Sequence, residues 1–237
     1  MSTTSESRAE APLPSPRGTL VWDAPVRAFH GLMVLAFAGA WLTAESERWR
    51  LVHVTLGYTM AGLVAFRLAW GLVGTRHARF ASFVRGPAAV GRYLVSLVRG
   101  RPERHVGHNP AGAVAIVGLL ALAALVTFSG WATYAEQGGR LAEELHEGIA
   151  SVMLALVGVH VAGVVVSSLA HRENLVVSML TGRKRVDASE GIRSPWRSVA
   201  AMVLAAVLGF WWVQLREAPG GPPGIAATAL EPGHDED

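Results

Sequence analysis

Polar and apolar residues alternate along this chain in long blocks rather than in short periods. Each apolar block is close to the ~20 residues that an α-helix needs to cross the hydrocarbon core of a bilayer. The five blocks lie at roughly 25–44, 51–74, 112–133, 144–170 and 197–215. The pattern predicts an all-α integral membrane protein. The first four blocks form an up-down four-helix transmembrane bundle, and the last adds a fifth, C-terminal transmembrane helix.

The composition favours the same class. Apolar residues make up 51% of the 237 residues and charged residues 16%, with a mean hydropathy of +0.34, whereas a soluble domain carries about 25% charge. The pI of about 9.9 does not indicate a nucleic-acid partner, because the basic residues lie between apolar blocks. The chain has no cysteine, which excludes disulfides, cysteine-ligated iron–sulfur clusters and a covalently attached c-type haem.

The charges between the blocks predict how the helices are oriented. Seven arginines and one acid, Glu103, separate the second block from the third, and a basic segment follows the fourth. Basic connections face the cytoplasm. The net acidic connection "YAEQGGRLAEELHEG" is expected outside. The N-terminus is then cytoplasmic and the C-terminus periplasmic, in a bacterial cytoplasmic membrane.

Four regions follow from this organisation. Residues 1–18 are polar and rich in proline and serine, and are expected to be a disordered cytoplasmic tail. Residues 19–186 contain the four-helix domain, 187–216 a linker and the fifth helix, and 217–237 a disordered acidic tail. The stretch "FASFVRGPAAVGRYLVSLVRG" predicts a short amphipathic helix at the cytoplasmic surface. Trp211 and Trp212 are interpreted as interfacial anchors of the fifth helix.

Histidines inside the apolar blocks are the candidate functional residues, because ionisable groups in a membrane are costly. His146 and His160 are fourteen residues apart, which places them within ~40° on one helix face and ~21 Å apart along its axis. With the predicted orientation, His53 lies at the depth of His146, on the outer side. His30 lies at the depth of His160, nearer the cytoplasm.

Two imidazoles that face each other across a bundle are the usual axial ligands of a low-spin haem b, so the two pairs predict two haem b groups. Zinc and a histidine-lined metal transporter are the alternatives, but they need further ligands, and few acids lie in the blocks. His171 is a weaker ligand candidate at the end of the fourth block. His77, His105 and His108 are expected to be solvated, or to contact lipid or haem carboxylates.

Two arginines lie within the apolar blocks. Arg27 precedes His30 by one helical turn, and Arg67 lies deep in the second block. Each either extends its charge to lipid phosphates or pairs with a haem propionate. Glycines inside the blocks allow helices, or a flat macrocycle, to approach the backbone; they are Gly57, Gly62, Gly118, Gly130, Gly158 and Gly163.

Several stretches together resemble the prokaryotic cytochrome b561 and nickel–iron hydrogenase cytochrome b subunit superfamily. They are "VWDAPVRAFHGLMVLAFAGAWLTAE", "HVTLGYTMAGLVAFRLAWGLVG", "ARFASFV", "GHNPAGA" and "HRENLVVSMLTGRKR", and they cover about residues 19–186. The resemblance implies that histidines of helices one, two and four hold two b haems, here His30, His53, His146 and His160. It also implies electron exchange with the quinone pool on one side and with a redox partner on the other.

Three versions of that function are open. The chain is a stand-alone quinone-linked oxidoreductase, or the membrane anchor of a hydrogenase or other dehydrogenase, or a link between quinol and a soluble c-type cytochrome. Only the first would make the chain an enzyme by itself. The fifth helix and the acidic tail lie outside the pattern that carries the resemblance.

Overall fold

The computed structural model describes residues 18–101 and 103–217. Five of its helices are long and apolar enough to cross a membrane, and they match the five predicted blocks to within a few residues. In chain order the elements are β1 (Thr19–Leu20), α1 (Ala24–Thr43), α2 (Arg50–Val73), α3 (Phe80–Phe83), α4 (Pro87–Val98), α5 (Pro110–Tyr134), α6 (Gly139–His171), α7 (Leu175–Thr181), β2 (Arg183–Lys184) and α8 (Arg197–Glu217).

The long helices begin at sequence signals that define their first turns. The carboxylate of Asp23 accepts a hydrogen bond from the backbone N–H of Val26 and caps α1. The amide of Asn109 caps α5 in the same way through Gly112. A proline in the first turn follows each cap, where its missing N–H costs no helical hydrogen bond. These caps fix where α1 and α5 enter the membrane.

The long helices that follow one another along the chain pack against each other. α1 lies against α2, α2 against α5, and α5 against α6. A cluster of buried apolar side chains joins these four helices; it consists of Ala36, Met60, Val64, Ala123, Val126 and Met153. Met153 lies seven residues from both His146 and His160. The apolar cluster therefore sits at the middle of the bundle, between the two levels at which the histidines lie.

Asp23 also connects the first two long helices, α1 and α2. It is 1% exposed, and its second carboxylate oxygen accepts hydrogen bonds from Trp70 Nε1 at 3.1 Å and Thr75 Oγ1 at 2.6 Å. The start of α1 is thus tied to the end of α2. A buried carboxylate with three donors is strongly favoured over one left without partners.

The connection between α2 and α5 differs from its prediction. One amphipathic helix was expected, but the stretch forms two, α3 and α4, which are separated where Pro87 opens the second helix. Tyr93 of α4 is fully buried, and its hydroxyl lies 3.4 Å from Ser167 Oγ of α6. α4 is therefore packed on the bundle.

The ends of the chain add two further findings. β1 and β2 pair as an antiparallel two-stranded sheet, which was not predicted. α8 packs against α1 and α2. The indole N–H of Trp211, which was interpreted as an interfacial anchor, donates to Thr59 of α2. Residues 1–17 and 218–237, where the two predicted tails fall, lie outside the described residues.

Candidate cofactor sites: two histidine pairs

His53 and His146 face each other across the bundle. Their ring centroids are 6.1 Å apart, and the ring planes are inclined by 85°. His53 comes from the first turn of α2 and His146 from the second turn of α6. The two histidines were predicted to lie at one depth on different helices, and the fold brings them together.

Each ring of this pair has one nitrogen bound to the protein backbone. Nδ1 of His53 lies 2.8 Å from the carbonyl oxygen of Ala40, and Nδ1 of His146 lies 3.0 Å from that of Val126. A carbonyl can only accept, so each Nδ1 carries the proton. The other nitrogen, Nε2, then presents its lone pair, as a metal-ligating imidazole does when a second partner fixes its tautomer.

The spacing of the two rings fits an iron held between them. A bond from a metal to an imidazole nitrogen is about 2 Å long, so two rings on opposite sides of one metal have centres about 6 Å apart. The observed 6.1 Å agrees with this spacing. The donor set is two neutral imidazoles, which suits the axial positions of haem b.

Gly130 of α5 supports the position of His146. A Cβ atom at residue 130 would lie 2.9 Å from Cε1 of the imidazole and 3.1 Å from Nδ1. Real Cβ atoms do not approach that closely, so any side chain there would push the ring aside. Of the helical glycines singled out in the sequence, Gly57, Gly62, Gly158 and Gly163 have no atom within 4 Å of such a Cβ.

His30 of α1 and His160 of α6 are the second predicted pair. They are close enough to interact electrostatically, and both are half-buried. Within the described part of the chain, neither ring makes a hydrogen bond to protein. The ring nitrogens of this pair are therefore open to a ligand, although no backbone carbonyl selects the tautomer.

α6 packs extensively on α5, whereas among the described elements α1 and α2 do not pack extensively on it. The described residues also include no cluster of three or more His, Cys, Asp or Glu side chains, so each pair is a two-ligand site.

His171 is engaged by the protein at both nitrogens. Nδ1 lies 2.9 Å from the carbonyl oxygen of Ser167, and Nε2 lies 3.2 Å from that of Glu103. These contacts fix His171 between the end of α6 and the connection that precedes α5. A neutral imidazole has one N–H and so donates to one of these two carbonyls, and both nitrogens face the protein backbone.

Arg67 is a buried arginine of α2. It is 3% exposed, and its guanidinium lies 4.8 Å from the centre of the Phe80 ring. One terminal nitrogen, NH2, donates to the carbonyl of Ala78 at 3.0 Å. The other, NH1, is buried with no partner among the described residues. A carboxylate would satisfy that nitrogen.

Arg27 has partners of another kind. Its Nε donates to the carbonyl of Met179 at 3.2 Å, and NH2 donates to that of Leu180. A cation at the C-terminal end of a helix stabilises its free carbonyls. The contacts of Arg27 thus join α1 to α7.

The loop histidines differ from the expectation that they are solvated. His77 is 7% exposed, and its Nε2 lies 2.8 Å from the carbonyl of Glu190. His108 packs on Trp22 and Phe83, with ring centroids 4.5 Å apart in each case. His105 remains more open, beside Glu103.

Comparison with known proteins gives consistent matches over this region. The model of the prokaryotic cytochrome b561 family matches residues 21–182. A probable Ni/Fe-hydrogenase 1 B-type cytochrome subunit of Escherichia coli (strain K12) is 27% identical over 142 residues, which is 49% of this chain and 60% of that protein. No solved structure matches.

Two further relatives carry similar names. A probable Ni/Fe-hydrogenase B-type cytochrome subunit of Rhizobium leguminosarum bv. viciae is 26% identical over 213 residues, covering 69% of this chain and 87% of that protein. One of Azotobacter vinelandii is 30% identical over 148 residues, covering 51% and 61%. The chain thus spans about 60% of the length of the Escherichia coli and Azotobacter relatives.

Proposed function

This chain belongs to the prokaryotic cytochrome b561 family, and on that premise we propose that it is a transmembrane dihaem b-type cytochrome. It carries electrons across the bacterial cytoplasmic membrane, between the quinone pool and a redox partner. The observation that carries this proposal is the His53/His146 pair. Two imidazoles 6.1 Å apart, each with Nδ1 bound to a carbonyl, form a prepared pair of axial ligands.

Each residue has a defined part in this proposal. His53 and His146 hold one haem b on the outer side, and His30 and His160 hold the second nearer the cytoplasm. When bound, haem b supplies a one-electron Fe(III)/Fe(II) couple, whose potential depends on axial ligands, burial and nearby charge. Arg67 offers NH1 to a propionate of the second haem. Arg27 was assigned the same part, but its carbonyl contacts favour a structural one.

The arrangement within the membrane is part of the proposal. Five long apolar helices make the chain a multi-pass membrane protein. The arginine-rich connection that contains α3 and α4 faces the cytoplasm by the positive-inside rule. The N-terminus is then inside and the C-terminus outside, and the two histidine pairs lie at two depths. The separation of His146 and His160 along α6 is ~21 Å.

A second version of the function is favoured by the relatives. Those matched are named as B-type cytochrome subunits of Ni/Fe-hydrogenases. In this version the chain is the membrane anchor through which a hydrogenase or other dehydrogenase delivers electrons to quinone. A chain without cysteine has no ligands for a cysteine-bound iron–sulfur cluster, so such centres would belong to another subunit.

The proposal is tested on the purified full-length chain. Pyridine haemochrome analysis should give two haem b per chain, and potentiometric titration should show two one-electron components. One haem, or none, would contradict the dihaem proposal. Reduction by a quinol analogue in vesicles, compared with reduction by hydrogen in membranes that contain a hydrogenase, then separates the two versions.

A further inference from the structure

Two buried polar atoms lack a partner among the described residues. They are NH1 of Arg67 and Nδ1 of His108. Buried polar side-chain atoms are nearly always hydrogen-bonded, so an unpaired atom indicates a missing partner. That both belong to one neighbourhood makes a shared partner the simplest account.

Arg67 and His108 are linked through one short helix. The Arg67 guanidinium lies over the ring of Phe80 at 4.8 Å, and the ring of His108 lies 4.5 Å from that of Phe83. Phe80 and Phe83 are the ends of α3, and their rings contact each other at 5.8 Å. Arg67 and His108 thus both pack against this pair of aromatic rings.

The charge state of His108 suits a donor rather than a second cation. Burial is the main cause that lowers the pKa of His108 to about 3, and the nearby charge of Arg67 is the second cause. The imidazole is therefore neutral at physiological pH, and one of its nitrogens carries a proton. The guanidinium of Arg67 has donors only. An acceptor with at least two lone pairs would satisfy both residues at once.

The carboxylates of the protein nearby are already engaged. Asp23 accepts from Val26, Trp70 and Thr75. Glu173 pairs with the buried Lys184 at 3.7 Å. We therefore look for the acceptor of Arg67 and His108 in a bound group.

We propose that His108 and Arg67 together bind one propionate carboxylate of the haem held by His30 and His160. His108 donates through Nδ1 and Arg67 through NH1, and His108 is near enough to His160 to interact with it electrostatically. This inference rests on the proposed dihaem function. In this arrangement His108 contacts the edge of the haem and positions it, and it is not a ligand of the iron.

The test uses His108→Phe in the full-length chain, with the midpoint potentials of both haems as the readout. Loss of a donor leaves the carboxylate charge less compensated, which stabilises ferric iron. The reduction equilibrium constant of the His30/His160 haem should fall about tenfold, which lowers its midpoint potential by about 59 mV for one electron. The other haem should keep its potential. His108→Gln, which retains an N–H donor, should keep the potential of this haem close to that of the unchanged chain.

His105→Phe is the matched control, because His105 lies in the same loop and contacts Tyr93 and Glu103 instead. It should leave both potentials unchanged. If His108→Phe also leaves both unchanged in a chain with two haems, this inference is wrong while the dihaem proposal stands. If the unchanged chain holds fewer than two haems, the dihaem proposal itself fails.

A second measurement identifies the source of the carboxylate and needs no variant. The unchanged chain is depleted of haem and refilled with haem or with its dimethyl ester, which has no ionised carboxylate. Affinity at the His30/His160 site should drop at least about tenfold with the ester, because charge-assisted hydrogen bonds are lost. Equal affinity for the two would overturn the inference, and would point to a free anion or a lipid phosphate as the partner of Arg67 and His108.

Discussion

The indole Nε1 of Trp211 donates a 2.8 Å hydrogen bond to Oγ1 of Thr59. The two residues are on α8 and α2, and Thr59 is 4% exposed. The bond is made well inside α2, nine residues after Arg50. It shows that the C-terminal helix is joined to the four-helix domain by a specific polar contact between helices.

Trp211→Phe should lower the free energy of unfolding by about 0.5–1.5 kcal/mol, because it removes one interhelical hydrogen bond and retains most of the ring. The measurement is thermal unfolding of the detergent-purified protein. Trp212→Phe is the control, since Trp212 is 58% exposed and contacts Arg216. Equal effects of the two substitutions would mean that the bond to Thr59 contributes nothing to stability.

Single ligand substitutions should separate the two haems. His53→Ala or His146→Ala should remove one haem and leave the other, since both imidazoles of the pair are needed for six-coordinate iron. His30→Ala or His160→Ala should remove the complementary haem. His171→Ala should retain both, because both nitrogens of its ring face backbone carbonyls. Haem content and redox titration report the outcome, and loss of a haem from the His171 variant would show that the second pair is misassigned.

Gly130→Ala should disturb the haem of the His53/His146 pair alone. The new Cβ would lie 2.9 Å from Cε1 of His146, so the ring must rotate and weaken its bond to Val126. We expect a changed low-spin spectrum and at least a partial loss of that haem. Gly148→Ala, on an open face of α6, is the control. A normal spectrum in the Gly130 variant would show that the ring can move without consequence.

Asp23→Ala should be among the most destabilising single changes at this end of the bundle. It removes the cap of α1 and leaves the donors of Trp70 and Thr75 without a partner, a cost of about 2–4 kcal/mol in total. A lower melting temperature should be accompanied by easier loss of the haem held by His30, which lies on α1. Asp187→Ala changes an exposed residue and should have almost no effect.

Topology provides an independent measurement. A reporter fused after Asp237 should be found outside, because five crossings start from an N-terminus inside. A reporter fused after Arg185 should be found inside. The same side for both fusions would mean that α8 does not cross the membrane.

The architecture was predictable because its cause is local. A run of ~20 apolar residues must form a helix in lipid, since each backbone polar group needs a partner within the segment. The sequence also predicted that His53 and His146 face each other, because helical periodicity and the charges between the blocks placed both at one depth. The bonds of their Nδ1 atoms to Ala40 and Val126 did not follow, since any backbone carbonyl carries the same acceptor whatever its side chain.

The contacts between distant segments could not be predicted from the sequence. Arg27 looked like a membrane-surface cation, yet it binds carbonyls more than 150 residues away. His108 looked like a loop histidine, but its surroundings are set by how α3 folds back on the bundle. Such roles depend on the three-dimensional path of connections, which hydropathy does not encode. The roles proposed for the histidine pairs and for Arg67 remain predictions.

The apolar cluster around Met153 has a consequence for energy conservation. It is built from methyl, methylene and thioether groups of four helices, and it lies between the two histidine levels. Such groups offer no sites for a chain of water molecules, whereas electrons can tunnel through saturated matter over short distances. The middle of this protein would then pass electrons but not protons, so that electron transfer through it would open no path for protons across the same membrane.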